Sequence, residues 1–401
     1  MARTGFCDSR PLLDPCKTEE NRVPLRTWAN ACAVKARRAC NEVAGLRSWQ
    51  QYKAENKDER QWVCSRLPLS AEDGIIMDYA EKNKSASVDG YEEEALLNHL
   101  HRVQALPTLR QLVPGLLQRE IEVAMDKLGL LYDRTYAWDV FSDMMRSQLN
   151  STLPNAELPR PFTDTTRAIL VDWLIQVHEV FSFSEETLYL AVHLLNRALQ
   201  QIKVSISSLQ LLGVVCLFLA AKKEECLLPE VSELCYLMAN TYTKKQLLRM
   251  ERRVLSGLQF ELSHCPPIHF LLLSAYIARC SDKVICMARY LLELSLLEGQ
   301  CIQYLPTHLA GAALHLARQL LQEAPTPEGE TAWCIASNIH LGSEATLFNI
   351  MQIMAIAAAK AHTRETRATY IKFSSVETLH VSMHPALTNA PCLLGLPCLQ
   401  S

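Results

Sequence analysis

From residue 116 onward, apolar residues recur at helical spacing with few breaks. Residues 118–128 and 136–149 each carry one apolar stripe, which predicts two amphipathic helices. In 165–181 the stripe is Ile169, Leu170, Trp173, Leu174, Val177 and Phe181, and Thr163 or Asp164 stands where a side chain caps a helix start. Arg167 falls on the same side as Leu170 and Leu174, where a charge is costly to bury. A further helix opens at Ser184, with Glu185 and Glu186 in its first turn, favourable against the helix dipole. Its stripe is Leu188, Ala191, Val192, Leu195 and Leu199. The run 209–221 is apolar all round and predicts a helix buried on nearly every side. Helices then start near Pro229 and at Thr243, where Thr243 and Gln246 have the spacing of a capping box. Pro266 and Pro267 break the chain before the helical pattern resumes at Ile268. No strict alternation between turn signals predicts a strand. The fold class is all-α.

A faint duplication runs through this pattern. An amphipathic stretch (188–199) leads into Leu209, Gly213, Leu217 and Ala220; another (289–298) leads into Leu309, Gly311, Leu316 and Ala317. A period so long suggests two tandem helical modules rather than a solenoid. Residues 1–115 are less regular, mixing Pro, Ser and charges with short helical candidates such as 94–103, and are expected to be a flexible, partly disordered arm. The expected organisation is an N-terminal regulatory region (1–115), N-terminal helices and a proline-marked linker (116–160), modules at 161–263 and 264–385, and a tail (386–401).

Composition narrows the function class. A net charge of -3 over 401 residues argues against broad nucleic-acid binding. The run 209–221 is short for a bilayer span and ends in Lys222 and Lys223, so no membrane association is expected. The 15 cysteines include no CxxC pair and no paired zinc-ligand spacing, and are expected to be reduced thiols. Several of them, such as Cys216, Cys286 and Cys334, sit within apolar helical patterns as small core residues. No phosphate loop, HExxH or GxSxG occurs. His308 and His315 share a helix face but have no carboxylate or cysteine at ligand spacing. Neither a catalytic residue, a cofactor nor a metal site is expected. Binding is the better class.

The phrases RAILVDWLIQVH, ETLYLAVHLLNRAL, LQLLGVVCLFLAAKKEE, LLPEV and TYTKKQLLRMERRVLSGLQF follow one another in the order and spacing of the cyclin box. Over 136–262 the chain closely resembles mitotic A- and B-type cyclins, and more loosely a second cyclin-like module through PPIHF, YLLELSLLE and YLPTHLAGAALHLA. Within that type, REIEVAMDKLGL and VCLFLAAKKEECLLPE look most like the cyclin P branch. The resemblance implies two five-helix modules and a non-catalytic subunit that binds and activates a cyclin-dependent kinase in the nucleus and cytoplasm. The family's kinase clamp, a lysine and a glutamate, matches Lys222 and Glu251, with apolar contacts from Val140, Leu255, Phe260 and Leu262. An ammonium donates to main-chain carbonyls and a carboxylate accepts from an amide, so the pair can hold backbone whatever the partner's side chains. Lys223 departs from the family, which usually has an aromatic residue there.

A second family site, a groove for Arg-x-Leu motifs of substrates or inhibitors, matches Ile169, Leu170, Trp173, Leu209 and Gln210; Thr166 and Gln176 replace the usual methionine and a glutamate. The bland alternative is that Trp173 is simply core. Arg22, Leu25 and Asn30 fit the destruction-box pattern read by the anaphase-promoting ubiquitin ligase, and Lys35-Ala-Arg-Arg38 could belong to a nuclear import signal. In the family the arginine matching Arg167 pairs with an aspartate of the next helix, and the matching position is Asn196, which can accept a hydrogen bond but cannot neutralise the charge. The rival reading is a cyclin-fold scaffold or adaptor that no longer activates a kinase.

Overall fold

The computed structural model describes residues 116–396, except 131–132, 154–161 and most of 323–343. The N-terminal arm, with Arg22, Leu25, Asn30 and the Lys35–Arg38 cluster, lies outside the described residues, as do Cys334 and the last residues of the tail.

Two helices come first, α1 (Leu116–Lys127) and α2 (Ala137–Ser147). The first module follows: α3 (Asp164–Phe181), α4 (Glu185–Gln201), α5 (Leu209–Glu224), α6 (Val231–Leu237) and α7 (Lys244–Gly257). The second contains α8 (Pro267–Ile277), α9 (Asp282–Ser295), α10 (Pro306–Leu321) and α11 (Glu344–Lys360), and a short α12 (Ala368–Lys372) closes back onto α3. No strand occurs among the described residues. Two tandem all-α modules are what the pattern predicts.

The helix boundaries follow local chemistry. Thr163 caps α3, its hydroxyl accepting from Thr166 N at 3.1 Å, and Thr166 also places its own hydroxyl 2.9 Å from Thr163. That gives the unusual threonine a local role. Thr243 and Gln246 form the expected capping box of α7. α5 is buried from Leu209 to Ala221 with α4, α7 and α3 packed around it, so an all-round apolar sequence is what its surroundings require. With the preceding turn, 206–224 is long and apolar enough to cross a membrane by length and composition, so the length argument of the sequence falls short. Burial decides instead: 72% of that window lies inside the fold. α10 plays the same central part in the second module, packed by α8, α9 and α11. Each central helix has a glycine where a neighbour presses in. A Cβ on Gly213 would lie 3.0 Å from Leu170 Cδ1, and one on Gly311 would lie 2.6 Å from His340 Cγ.

The modules are tied across their junction. α1 packs on α8, and Gln148 Oε1 accepts from the Thr307 hydroxyl at 2.9 Å at the head of α10. Arg289 meets Glu185 at 3.0 Å, and His269 meets Glu186 at 3.2 Å. Cysteines 216, 226, 235, 265, 286 and 301 are free thiols, with Cys216 buried and Cys286 half-buried. Cys392 differs from the expectation: it is disulfide-bonded.

Candidate functional site

The C-terminal end of α5 emerges from the core at Lys222. Its ammonium bonds Glu251 Oε1 of α7 and lies 4.4 Å from the Phe218 ring centre. The cation is therefore held by a carboxylate and an aromatic face at once. Lys222 is 39% exposed along its side chain, whereas Glu251 is 9% exposed. Glu251 is thus no ordinary surface glutamate: it depends on Lys222 for compensation, because a carboxylate left buried alone costs several kcal/mol.

Leu255, half-buried, sits one turn beyond Glu251. α7 then ends in two non-glycine residues in the left-handed region, Gln259 (φ 53) and Phe260 (φ 59), with Phe260 N donating to Leu255 O at 2.9 Å. That turn throws the Phe260 ring outward, 69% exposed. A bulky residue is disfavoured in this backbone conformation, and such strain persists only where surroundings hold it. The holder is Arg197 of α4, which donates to Glu261 O at 2.7 Å and to Glu261 Oε2 at 3.0 Å. Leu262 follows, half-buried against the core.

Val140 on α2 is 37% exposed. α2 approaches the same region: Asp143 and Lys223 both act on the Cys265 thiol, whose pKa burial raises to about 12. Lys223 lies on the surface, paired with Glu224 at 2.9 Å. An exposed neighbouring pair of this kind adds little stability. Among the predicted kinase-contact residues, the structure joins Lys222 to Glu251 directly and ties Phe260 to Leu255 through the turn that ends α7, while Val140 lies on the separate helix α2.

The predicted groove residues sit deeper. Leu170, Trp173 and Leu209 are each 1% exposed and Gln210 6%, while Ile169 is half-buried. The Gln210 Nε2 amide is buried without a hydrogen-bond partner, a costly state for a polar group. Gln176 donates to Asp172 at 3.0 Å, and Asp172 accepts from Ala368 N at 2.7 Å, so this side of α3 is engaged by α12.

Arg167 is 2% exposed, and its Nε donates to Asn196 Oδ1 of α4 at 2.8 Å. Burial draws its pKa down to about 10, which leaves it cationic at neutral pH. Among the described residues no cluster of His, Cys, Asp or Glu could hold a metal ion.

The family model for the cyclin N-terminal domain matches residues 139–263, and that for the cyclin C-terminal domain matches 265–387. The chain belongs to the cyclin family. Relatives of this cyclin include G2/mitotic-specific cyclin-B of Spisula solidissima, 37% identical over 227 residues (56% of this chain, 51% of the relative). G2/mitotic-specific cyclin-B2 of Oryzias latipes is 36% identical over 230 residues (57% and 58%). Its human counterpart is 33% identical over 258 residues (63% and 63%). The resemblance is thus to the A/B type, and this cyclin spans between half and two thirds of the length of these relatives.

Sequence reasoning missed Arg197, which anchors the Phe260 turn, and Phe218, which backs Lys222. Phe218 was legible in principle, since it precedes Lys222 by one helical turn. Arg197 was not, because its partner lies 64 residues away.

Proposed function

We propose that this cyclin is a non-catalytic regulatory subunit that binds a cyclin-dependent protein kinase through the outer face of the first module and holds it in its active conformation during cell division. The observation that carries the reading is the Lys222–Glu251 pair at the mouth of the buried α5, on a module that also exposes Phe260. A preformed pair surrounded by apolar groups is suited to backbone capture. Its charges are already oriented, and little further side-chain entropy is lost on docking. The cyclin contributes no reacting group; it acts by preferring one of two kinase conformations, and its effect is bounded by that preference. Its place of action on this reading is the nucleus and cytoplasm. Lys223 stands within the same face, and a partner offering a carboxylate to it fits better than one offering an apolar pocket.

Replacing Lys222 and Glu251 together by alanine is expected to weaken kinase binding by about 2–5 kcal/mol, with helical content unchanged. Undiminished kinase recovery would remove this face from the interface. A phosphorylation assay on the purified parent complex separates the activator from the adaptor: a bound but inactive kinase supports the latter.

Two further contacts belong to the same proposal. The unsatisfied Gln210 amide favours docking of an Arg-x-Leu peptide near Ile169, with Trp173 uncovered as the peptide enters. Labelled Arg-x-Leu peptide should bind the parent and lose affinity in Gln210→Ala; no binding to the parent ends that assignment. Arg22 and Leu25 would serve recognition by the anaphase-promoting ubiquitin ligase, and their joint replacement by alanine should lengthen the half-life in cells leaving mitosis. Equal decay of both forms counts against it.

A further inference from the structure

Where α3 and α4 face the second module there is a cleft of about 70 Å³, with Arg167, His193, Asn196, His264, Ser151 and Cys301 on its walls. Two buried polar atoms of these residues, Arg167 Nη1 and His193 Nε2, have no hydrogen-bond partner. The bond that the Arg167 side chain does make, through Nε, goes to a neutral amide oxygen. Nearby carboxylates do not correct this. Glu298 is paired with Arg364, and Asp164 is an exposed residue in the first turn of α3. The Cys301 thiol is no anion either, since burial raises its pKa to about 12. The His193 ring is held in place by stacking on His264 at 4.2 Å, and His264 Nδ1 lies 3.3 Å from the Ser151 hydroxyl.

A guanidinium buried without a counter-charge costs several kcal/mol. Water could fill its hydrogen bond but not its charge. We propose that the cleft binds a small monovalent anion of halide or formate size, which accepts hydrogen bonds from Arg167 Nη1 and His193 Nε2 and supplies the charge that Asn196 lacks. The size is suitable: about 10–15 Å³ suffices for one water, so a halide with residual water fits. A nucleotide-sized ligand, with pockets of about 300 Å³ upward, does not. Such an anion would cement the junction of the two modules, and it does so whether or not a kinase is bound.

The test is thermal unfolding of the full chain in sodium chloride, bromide or formate against sodium gluconate at fixed ionic strength, for the parent and Asn196→Asp. Above the dissociation constant, each tenfold rise in the fitting anion should raise the parent's folded-to-unfolded ratio by about tenfold, while gluconate leaves it unchanged. Asn196→Asp should lose that dependence, since its own carboxylate takes the anion's place. Crystals grown in bromide should show an anomalous peak beside Arg167. A response to chloride but not formate, or the reverse, supports the site and identifies the anion. Equal anion response in parent and Asn196→Asp, no response in either, or a bromide crystal without that peak overturns the proposal.

Discussion

α3 meets the second module near both of its ends, and a cation stands at each, Arg167 buried and Lys372 half-buried. Near its start, Arg167 has only the Asn196 oxygen. Near its end, Lys372 of α12 meets Glu293 of α9 at 2.7 Å and Glu179 of α3 at 3.0 Å. Burial opposes the charge on Lys372, but the two carboxylates outweigh it and raise its pKa. Burial likewise pushes Glu179 up, yet the His178 ring and the Lys372 ammonium hold it down at about 2. One end is an ion network with its charges answered; the other is a charge joined to a dipole. The contrast shows that a tie between helices can be made by a good hydrogen bond and still leave a charge unanswered. Only the coordinates of both partners tell the two apart.

The largest effect is expected at the well-paired end. Lys372→Met leaves Glu293, 1% exposed, buried without its cation, and should cost about 3–5 kcal/mol in denaturant melts at neutral pH. A loss below about 1 kcal/mol, the range of an exposed pair, would show that Glu293 finds water or another donor.

Acid should separate the two ends next. Burial, with Arg197 and Lys223 adding to it, lowers the His193 pKa from 6.5 to about 3, and burial does the same to His340 in the second module. Below pH 6.5 the unfolded chain takes up protons that these folded histidines refuse, so stability falls from there down to about pH 3. Glu179 acts later. Its stabilising share is present above 4.5 and is lost as pH falls through about 2. Stability that stays flat between neutrality and pH 5 would contradict the histidine assignment; so would resonances of His193 and His340 titrating near 6.5 in the folded protein.

The smallest effect lies in the repair of the poorly paired end. Asn196→Asp should stabilise the chain by about 1–2 kcal/mol, the scale of a charge-assisted bond, measured in melts in gluconate, where no small anion competes. A variant no more stable than the parent would mean that Arg167 is compensated by other means.

Much of the architecture was legible before any coordinate. The helix positions from 116 onward follow from apolar spacing, and Thr163, Ser184 and Thr243 stand where the helices start. The central place of α5 follows because a helix apolar on all sides has no face to offer water. Lys222 and Glu251 could be singled out only through the cyclin resemblance, since by spacing alone each looks like an ordinary charged helix residue.

Partnership was decided by the tertiary structure. That Lys222 reaches Glu251, that Arg197 pins the Phe260 turn, and that Lys372 finds two carboxylates depend on how helices distant in sequence cross. Trp173 is the clearest case: it lies on a stripe in the sequence, but its 1% exposure comes from what the rest of the chain lays over it. Local propensity and hydrophobic period act over a few residues and can be read from the chain directly. Charge compensation and burial belong to pairs of surfaces, and those surfaces exist only once the helices have packed.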